Sequence, residues 1–431
     1  MVFRVHSFEL LKACIEDILS TIKPGEDDQK KRSYAIQELA DSIYSVGALR
    51  GATVKPFGSF VSNLYAKSGD LDVSVDLWSS SRIPISKKKK QNALRELRRA
   101  LQIRGVARSV EFIPNARVPI IQYMSNQFDI SCDISINNYP GQIKSRIFYW
   151  INTIDERFGD MVLLVKEWAK SQNINDPKNG TLNSYSLCLL VIFCLQNCEP
   201  AILPPLKEIY DGNVAEETVF YDEKHVDEIC VANISRFLRQ NMGQRNQTSL
   251  PRLFASFFSQ KLTVWGSCLV YHVSSAIYTG INNWLMSDWF RTPVHDAQVK
   301  KLRAGSWDRS STVISTYMGR FERIQDNPSW LVKPYSLFVE DPFERPDNAA
   351  RAVGAEELEY IERAFNYMSG RIVGGALDDR DELVSLLCTP SVGSILGGIR
   401  ANRCTNMPSS CQLYSPVAAN QYDMDLFMIL T

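Results

Sequence analysis

Apolar residues recur at three- and four-residue spacing from about Ser7 to Leu19 and from Lys31 to Val46, as in YAIQELADSIYSV. This predicts two amphipathic helices, parted by the Lys23-Pro24-Gly25-Glu26 break. After Gly47 the period shortens. ATVKPFGSFVSNL and DLDVSVDLW alternate and are rich in Val and Phe, a strand signature. A helix from about Lys89 to Arg104 follows, then strands in SVEFIP, VPIIQYM and FDISCDISI. The order helix, strand, strand, helix, strands predicts a small α/β domain with a mixed or antiparallel sheet.

From Ser145 the pattern turns helical. RIFYWINTIDERF and DMVLLVKEWAKSQ carry broad apolar faces, and SYSLCLLVIFCLQNC is apolar nearly all round, as the central helix of a second domain would be. EICVANISRFLRQN and SLPRLFASFFS read as further helices, with a loop at NMGQRNQTS. VKPYSLFVEDPFERPDNAARAV runs from an extended apolar segment through a Pro-rich loop into a helix ending near Met368. The last residues, with GGALDD, TPSVGSILGG and NMPSS, predict a loop-rich, partly disordered tail.

A length of 431 residues favours more than one domain. The expected division is 1–46, N-terminal helices packed on the helical domain; 47–145, the α/β domain; 146–368, the helical domain; and 369–431, the tail. An atypical insert of weak periodicity is expected at about 261–325. Within it, Leu262 to Ser287 carries no Lys, Arg, Asp or Glu. Its His272, Asn282, Asn283 and serines would go unsatisfied in hydrocarbon, so it reads as a buried segment or insertion, and no stable membrane partner is expected. The first twenty residues read as an amphipathic helix rather than a secretion signal. Ten scattered cysteines without CxxC or Cys/His zinc spacing imply reduced, mostly buried thiols in an intracellular protein.

The sharpest chemical feature is PFGSFVSNLYAKSGDLDVSVDL. Asp70 and Asp72, at i and i+2 of a strand, share a face while Leu71 and Val73 take the other. The pair is either two solvated aspartates at a strand end or a cation site, because buried adjacent carboxylates repel. Asp133 in FDISCDISI shares its face with Asp129 and Ser131 and has apolar flanks. Three carboxylates from two strands suit magnesium or manganese, with Asp129 and Asp76 as salt partners or supporting groups. Gly58-Ser59, ten residues before Asp70, offers a tight turn with N–H groups and a hydroxyl for phosphate oxygens.

The series Gly-Ser, ten residues, DLDV, then ARVPI, CDISINN, MVLLVKEWAK, GTLNSYSL and YSLFVEDPFE resembles the noncanonical poly(A)/terminal uridylyl transferases. These belong to the DNA polymerase beta-like nucleotidyltransferases. The nearest resemblance is to plant enzymes that uridylate small RNAs unprotected by 3′ methylation, over about residues 5–260 and 330–365. It implies an α/β plus all-α fold: a polymerase-beta-like palm with a mixed sheet, packed on a helical poly(A)-polymerase-associated domain. It also implies template-independent transfer from UTP to an RNA 3′ end with Mg2+, or Mn2+, held by Asp70, Asp72 and Asp133. Lys166 and Lys170, four apart on one helical face, would then reach the phosphates rather than form an exposed cationic pair. Ser184 becomes a phosphate or base contact and Tyr185 a stacking platform, beside the plainer roles of N-cap and core.

Asn138 is expected to orient the ribose or the strand end. Two positions depart from the family: Lys144 stands where an Asn usually meets the ribose hydroxyls, and Asp347 where a His helps select uracil in fungal and animal enzymes. Asp341 and Glu344 remain as contacts to a base edge or the loop backbone.

Net charge is +0, so only a local patch can hold RNA. From Arg82 to Arg108 there are ten basic residues against the single acid Glu96. Lys87, Lys88, Lys89, Lys90 and Arg95 are the candidate RNA contacts, with a nuclear-localisation signal or a solvated helix face as alternatives. Single-stranded RNA 3′ ends, an Argonaute-small RNA complex and a cytoplasmic or nuclear location follow from the resemblance. ATP-using poly(A) polymerase and an inactive RNA-binding scaffold are the competing readings.

Overall fold

The computed structural model describes residues 2–44, 46–77, 85–214, 223–241, 245–259, 312–332, 334–373 and 379–405. Helices α1 (Val2–Ile22) and α2 (Glu26–Tyr44) lead into β1 (Thr53–Pro56), a one-turn helix α3 (Gly58–Val61) and β2 (Leu71–Asp76). Helix α4 (Lys87–Ile103) precedes β3 (Ala107–Ile113), β4 (Ile120–Ser125) and β5 (Ser131–Ile136). These strands form one sheet in the order β1-β2-β5-β4-β3, with β2 and β5 parallel and the remaining pairs antiparallel. The sheet is therefore mixed, as the alternation of elements predicts.

Period-two alternation divides the sheet's faces. Leu71, Val73, Val75, Cys132, Ile134 and Ile136 pack on Leu94, Leu97 and Leu101 of α4 and on Ala35, Leu39 and Ile43 of α2. Each such fully buried aliphatic chain contributes roughly 1.5–3 kcal/mol. Asp72, Ser74, Asp133 and Ser135 lie on the other face, all buried. A single apolar cluster thus fixes the register that aligns the acids.

The second unit comprises α5 (Tyr139–Asn152), α6 (Glu156–Ser171), α7 (Ser184–Gln196), α8 (Glu223–Gln240), α9 (Leu250–Ser259), a hairpin of β6 (Thr312–Ser315) and β7 (Arg320–Arg323), and α10 (Ala355–Val373). Every residue of α7 is buried, so this helix is the core on which the others pack. Asn138, Asp155 and Asn183 cap α5, α6 and α7 by accepting from the N–H groups of Gly141, Arg157 and Ser186.

Three expectations about organisation change. Helix α1 does pack on the helical unit, against α6, but α2 belongs to the palm, lying on α4 and β1. The stretch beyond 369 is not loop-rich throughout: α10 runs to Val373, and α11 (Arg380–Leu387) and α12 (Pro390–Thr405) follow. Leu383, Val384, Leu387 and Leu396 enter the main core, and Arg380 pairs with Asp17 of α1 at 2.6 Å. Helical periodicity there was masked by Gly, Pro and Ser, which tertiary contacts override. The expected insert also ends earlier, because Thr312–Arg323 forms the hairpin and Ile314 bridges Val339. The uncharged run and residues 406–431 lie outside the described residues. Among the described residues no helix is long and apolar enough to cross a membrane. Cys14, Cys132, Cys188, Cys194, Cys198, Cys230 and Cys388 are free thiols, all buried.

Candidate active site

Asp70 immediately precedes β2, and Asp72 is its second residue. In the parallel β2–β5 ladder Asp72 stands directly beside Asp133, and on the far side of β5 Gln122 of β4 faces Asp133. Adjacent strands are about 4.8 Å apart, so the backbone itself forces two acids together. Both Asp133 carboxylate oxygens are buried, with the Gln122 amide turned toward them short of full hydrogen-bond geometry.

Burial, then the neighbouring charges of Asp70 and Asp72, pushes the Asp133 carboxyl well above the usual range. Burial and Asp70 raise Asp72 to about 8, and Lys166 and the Ser59 N–H only partly oppose this. Burial raises Asp70 as well, against a hydrogen bond from Ser131 and the charges of Lys170, Lys166 and Arg32. Such a cluster is disfavoured in its ionised form unless a cation joins it. Among the described residues no group of three acidic, His or Cys side chains is placed so that it could hold a metal ion as it stands. Strand register brings Asp72 and Asp133 together, with Asp70 one residue before β2; the buried carboxylates and the all-oxygen donor set are what fit a hard divalent cation.

Gly58 begins α3 at φ +66°, and a Cβ there would lie 2.0 Å from Asp72 Oδ2. The glycine lets the turn approach the carboxylate. Its N–H donates to Ser145 Oγ at 2.6 Å, while the Ser59 N–H bonds the Asp72 carboxylate. These amides are committed within the protein, so of the expected phosphate donors in this turn the Ser59 hydroxyl is the one in position. Ser59, Asp70, Asp72, Lys166, Glu167, Lys170 and Ser184 line one cleft between α3, β2, α6 and α7. Burial lowers the Lys166 ammonium's pKa, with Asp72 and Asp70 pulling it back, and its Nζ lies 3.4 Å from Leu64 O. Ser184 is buried in the first turn of α7, after the capping Asn183.

Tyr185 is held more tightly than a bare platform. Its hydroxyl donates to Asp341 Oδ1 at 3.0 Å, its ring lies 5.7 Å from Phe148, and Lys144 Nζ sits 4.8 Å from the ring centroid. Lys144 pairs with Asp341 and Glu344, each at 2.6 Å, and all three side chains are largely buried. Burial would raise the Asp341 carboxyl, but the Lys144 charge and hydrogen bond bring it below the usual range. Arg117 joins the same loop at 3.3 Å from Glu344 and 2.8 Å from Asp347. The two departures from the family pattern are thus members of one ion-pair network, and Asp347 faces Arg117.

Other expected residues lie elsewhere. The Asn138 side chain caps α5 and its N–H donates to Ser74 Oγ at 2.9 Å, so it orients the end of β5. Asp129, at φ +55°, is in the turn before β5 and pairs with Arg108, because the strand begins only at Ser131. Asp76 accepts from Ser74 and Gln142. Helix α4 covers the sheet face opposite the acids, so Lys87, Lys88, Lys89, Lys90 and Arg95 are apart from the cleft. Lys87, Lys88, Lys89 and Arg95 are exposed, with Lys87 donating to Ala116 O at 2.8 Å and Arg95 to Asn92 Oδ1 at 2.8 Å, while half-buried Lys90 donates to Asn137 O at 3.2 Å.

Two contributors escaped the sequence reading. Ser145 holds the Gly58 turn, and Glu167, in the cleft wall, accepts from the N–H and hydroxyl of Thr389 at 2.9 and 2.7 Å. Neither stands out in a helix; Glu167 lies between two lysines that draw attention first.

Residues 11–152 match the family model described as "Poly(A) RNA polymerase, mitochondrial-like, central palm domain". Protein HESO1 of Arabidopsis thaliana is 42% identical over 88% of this chain and 66% of its own length. Terminal uridylyltransferase cid1 of Schizosaccharomyces pombe is 28% identical over 83% of this chain and 77% of its own. The solved structure of mtPAP with ATPgammaS shares the fold, at 18% identity and a TM-score of 0.61 over 90% of this chain and 74% of that one. The chain spans just under two thirds of HESO1 and about half of Poly(A) RNA polymerase cid11. With the palm matched, the acids aligned on its sheet and a 42% identical relative along most of its length, the chain belongs to the noncanonical poly(A)/terminal uridylyl transferase family of polymerase-beta-like nucleotidyltransferases.

Proposed function

We propose that the protein is a template-independent RNA 3′-terminal uridylyltransferase, adding UMP from UTP to the 3′ ends of small RNAs or RNA fragments. The observation that carries this is the pairing of Asp72 with the buried Asp133 in the sheet, beside a cleft that Asp70, Asp72, Lys166 and Lys170 line together. Asp70, Asp72 and Asp133 would hold Mg2+ or Mn2+. When bound, two such ions supply Lewis-acid activation of the attacking hydroxyl and neutralise charge on the triphosphate.

The chain's own groups do the rest. Lys166 and Lys170 offset phosphate charge, the Ser59 hydroxyl and Ser184 are placed at the same wall, and Gly58 keeps the turn close to the acids. The RNA 3′ hydroxyl attacks the α-phosphate and pyrophosphate leaves. The Tyr185, Lys144 and Asp341 group follows Ser184 of the cleft wall along α7, and in this reading it would receive the base. The name of cid1 and the resemblance to plant small-RNA enzymes support UTP. An Argonaute-small RNA complex as the source of the 3′ end, with action in the cytoplasm or nucleus, rests on that resemblance alone. RNA upstream of the 3′ end is assigned to the exposed Lys88, Lys89 and Arg95.

Extension of a labelled single-stranded RNA with Mg2+ and each ribonucleotide in turn tests the reading, with Asp70→Ala/Asp72→Ala alongside. UTP addition lost in the variant supports it. Preference for ATP keeps the chemistry and replaces the substrate; no extension by folded protein with any nucleotide overturns the enzyme reading.

A further inference from the structure

Arg32, in the middle of α2, is 1% exposed, and among the described residues no carboxylate forms an ion pair with it. Its Nη2 instead donates to three backbone carbonyls in one loop: Ala66 at 3.4 Å, Lys67 at 3.0 Å and Gly69 at 2.7 Å. Nη1 donates to Asp28 O at 3.2 Å, and the guanidinium lies 4.5 Å from the Tyr65 ring centroid. A buried charge is costly, and a structure keeps one where its hydrogen bonds and field serve something.

What the loop carries is Asp70. Residues 62–69 run from the Gly58 turn to the first acid, with no regular strand to hold them. Their ends are tied by Leu64 N–H to Ser59 O at 2.9 Å and by Lys67 N–H to Ile22 O at 2.9 Å. Tyr65, beneath the guanidinium, packs edge-on against Phe60 of α3 at 5.4 Å. Asp72 and Asp133 are set by strand register, but Asp70 sits outside the ladder, directly after the carbonyls that Arg32 gathers. The planar guanidinium fork suits several carbonyls at once, which a Lys ammonium, a point charge on a flexible stem, does not.

We infer that Arg32 is a positioning residue for the metal site: by clamping the carbonyls of Ala66, Lys67 and Gly69 it fixes the Asp70 carboxylate against the strand-borne pair. This rests on Asp70 being a metal ligand, as proposed above. It also gives α2 a place in the active site that its amphipathic pattern does not reveal.

The test reads metal binding rather than turnover. Mn2+ is titrated, with free ion followed by EPR, into the full-length chain with a UTP analogue whose α–β bridge cannot be cleaved. Wild type, Asp70→Asn, Arg32→Met, Arg32→Lys and the Asp70→Asn/Arg32→Met double variant are compared, with folding checked by circular dichroism. Arg32→Met is expected to weaken Mn2+ about 10-fold, the low end for residues that orient ligands, with Arg32→Lys in between. In the Asp70→Asn background Arg32→Met should add almost nothing, since the residue acts through Asp70. Where Arg32→Met fails to fold, Arg32→Lys carries the same cycle. Unchanged Mn2+ affinity in a folded Arg32 variant, or an equal loss with and without the Asp70 carboxylate, overturns the inference. If Asp70→Asn itself leaves Mn2+ affinity intact, the ligand reading fails first and this one with it.

Discussion

Replacing Asp72 by Asn should make the metal-free protein more stable at pH 8 while abolishing transfer. The carboxyl is 6% exposed, and its pKa is raised from 3.8 to about 8. A carboxyl raised in the folded state binds protons that the unfolded chain has released. Between pH 4 and 8 the unfolded state therefore holds fewer protons, and stability falls as pH rises through that window. A rise of about four pKa units corresponds to roughly 5–6 kcal/mol of differential stabilisation. Asp70, Asp72 and Asp133 titrate as a cluster, so the loss on raising pH belongs to the three together. Asn removes one charge while keeping the shape. Thermal melts in EDTA from pH 4 to 8 should show wild type losing stability with pH and Asp72→Asn losing distinctly less, the two converging near pH 4. Adding Mg2+ with UTP should raise the wild-type melting temperature at pH 8 and leave the variant almost unmoved. A wild-type melt flat across this range, or an Asn variant less stable than wild type at pH 8 without metal, refutes the argument that unpaired carboxylates strain the fold.

Two further outcomes follow from the same geometry. Gly58→Ala meets both an unfavourable φ and a Cβ 2.0 Å from Asp72 Oδ2, so activity should fall at least 100-fold with a stability loss of about 1–3 kcal/mol; an active Ala variant in extension assays would show that the turn is not held against the carboxylate. Lys144→Met leaves the buried Asp341 and Glu344 without their common cation, a change expected to cost about 3–5 kcal/mol, and adding Asp341→Asn should recover part of it, which urea unfolding of the single and double variants measures.

The chemistry was legible because it is written in short-range spacing. Asp72 needs only a strand to face away from Leu71 and Val73, although Asp70 falls one residue before that strand, and Lys166 and Lys170 at i, i+4 need only a helix. Leu71, Val73, Cys132 and Ile134 supplied the apolar alternation that made both strands certain enough to place the acids. The central helix was equally plain, since a run apolar on every side has to be buried. Asn138 took the strand-end role and Asp129 the salt-partner role among those expected of them, although Asp129 lies in the turn before β5 and not on the strand face. A cap and a turn residue carry the same polar side chains as a ligand, and only backbone angles tell them apart.

What the chain determined alone is the set of acids, their faces and the family they belong to, because periodicity and motif order act over a few residues. What only the tertiary structure decided is which strands lie side by side and which distant groups meet them. The parallel β2–β5 register put Asp72 against Asp133, α2 crossed to the palm to bring Arg32 under the Asp70 loop, and the 341–347 loop came down on Lys144 and Arg117. Those contacts join residues from 34 to more than 200 positions apart. Packing of complete apolar faces selects them, and no local pattern encodes which face will find which.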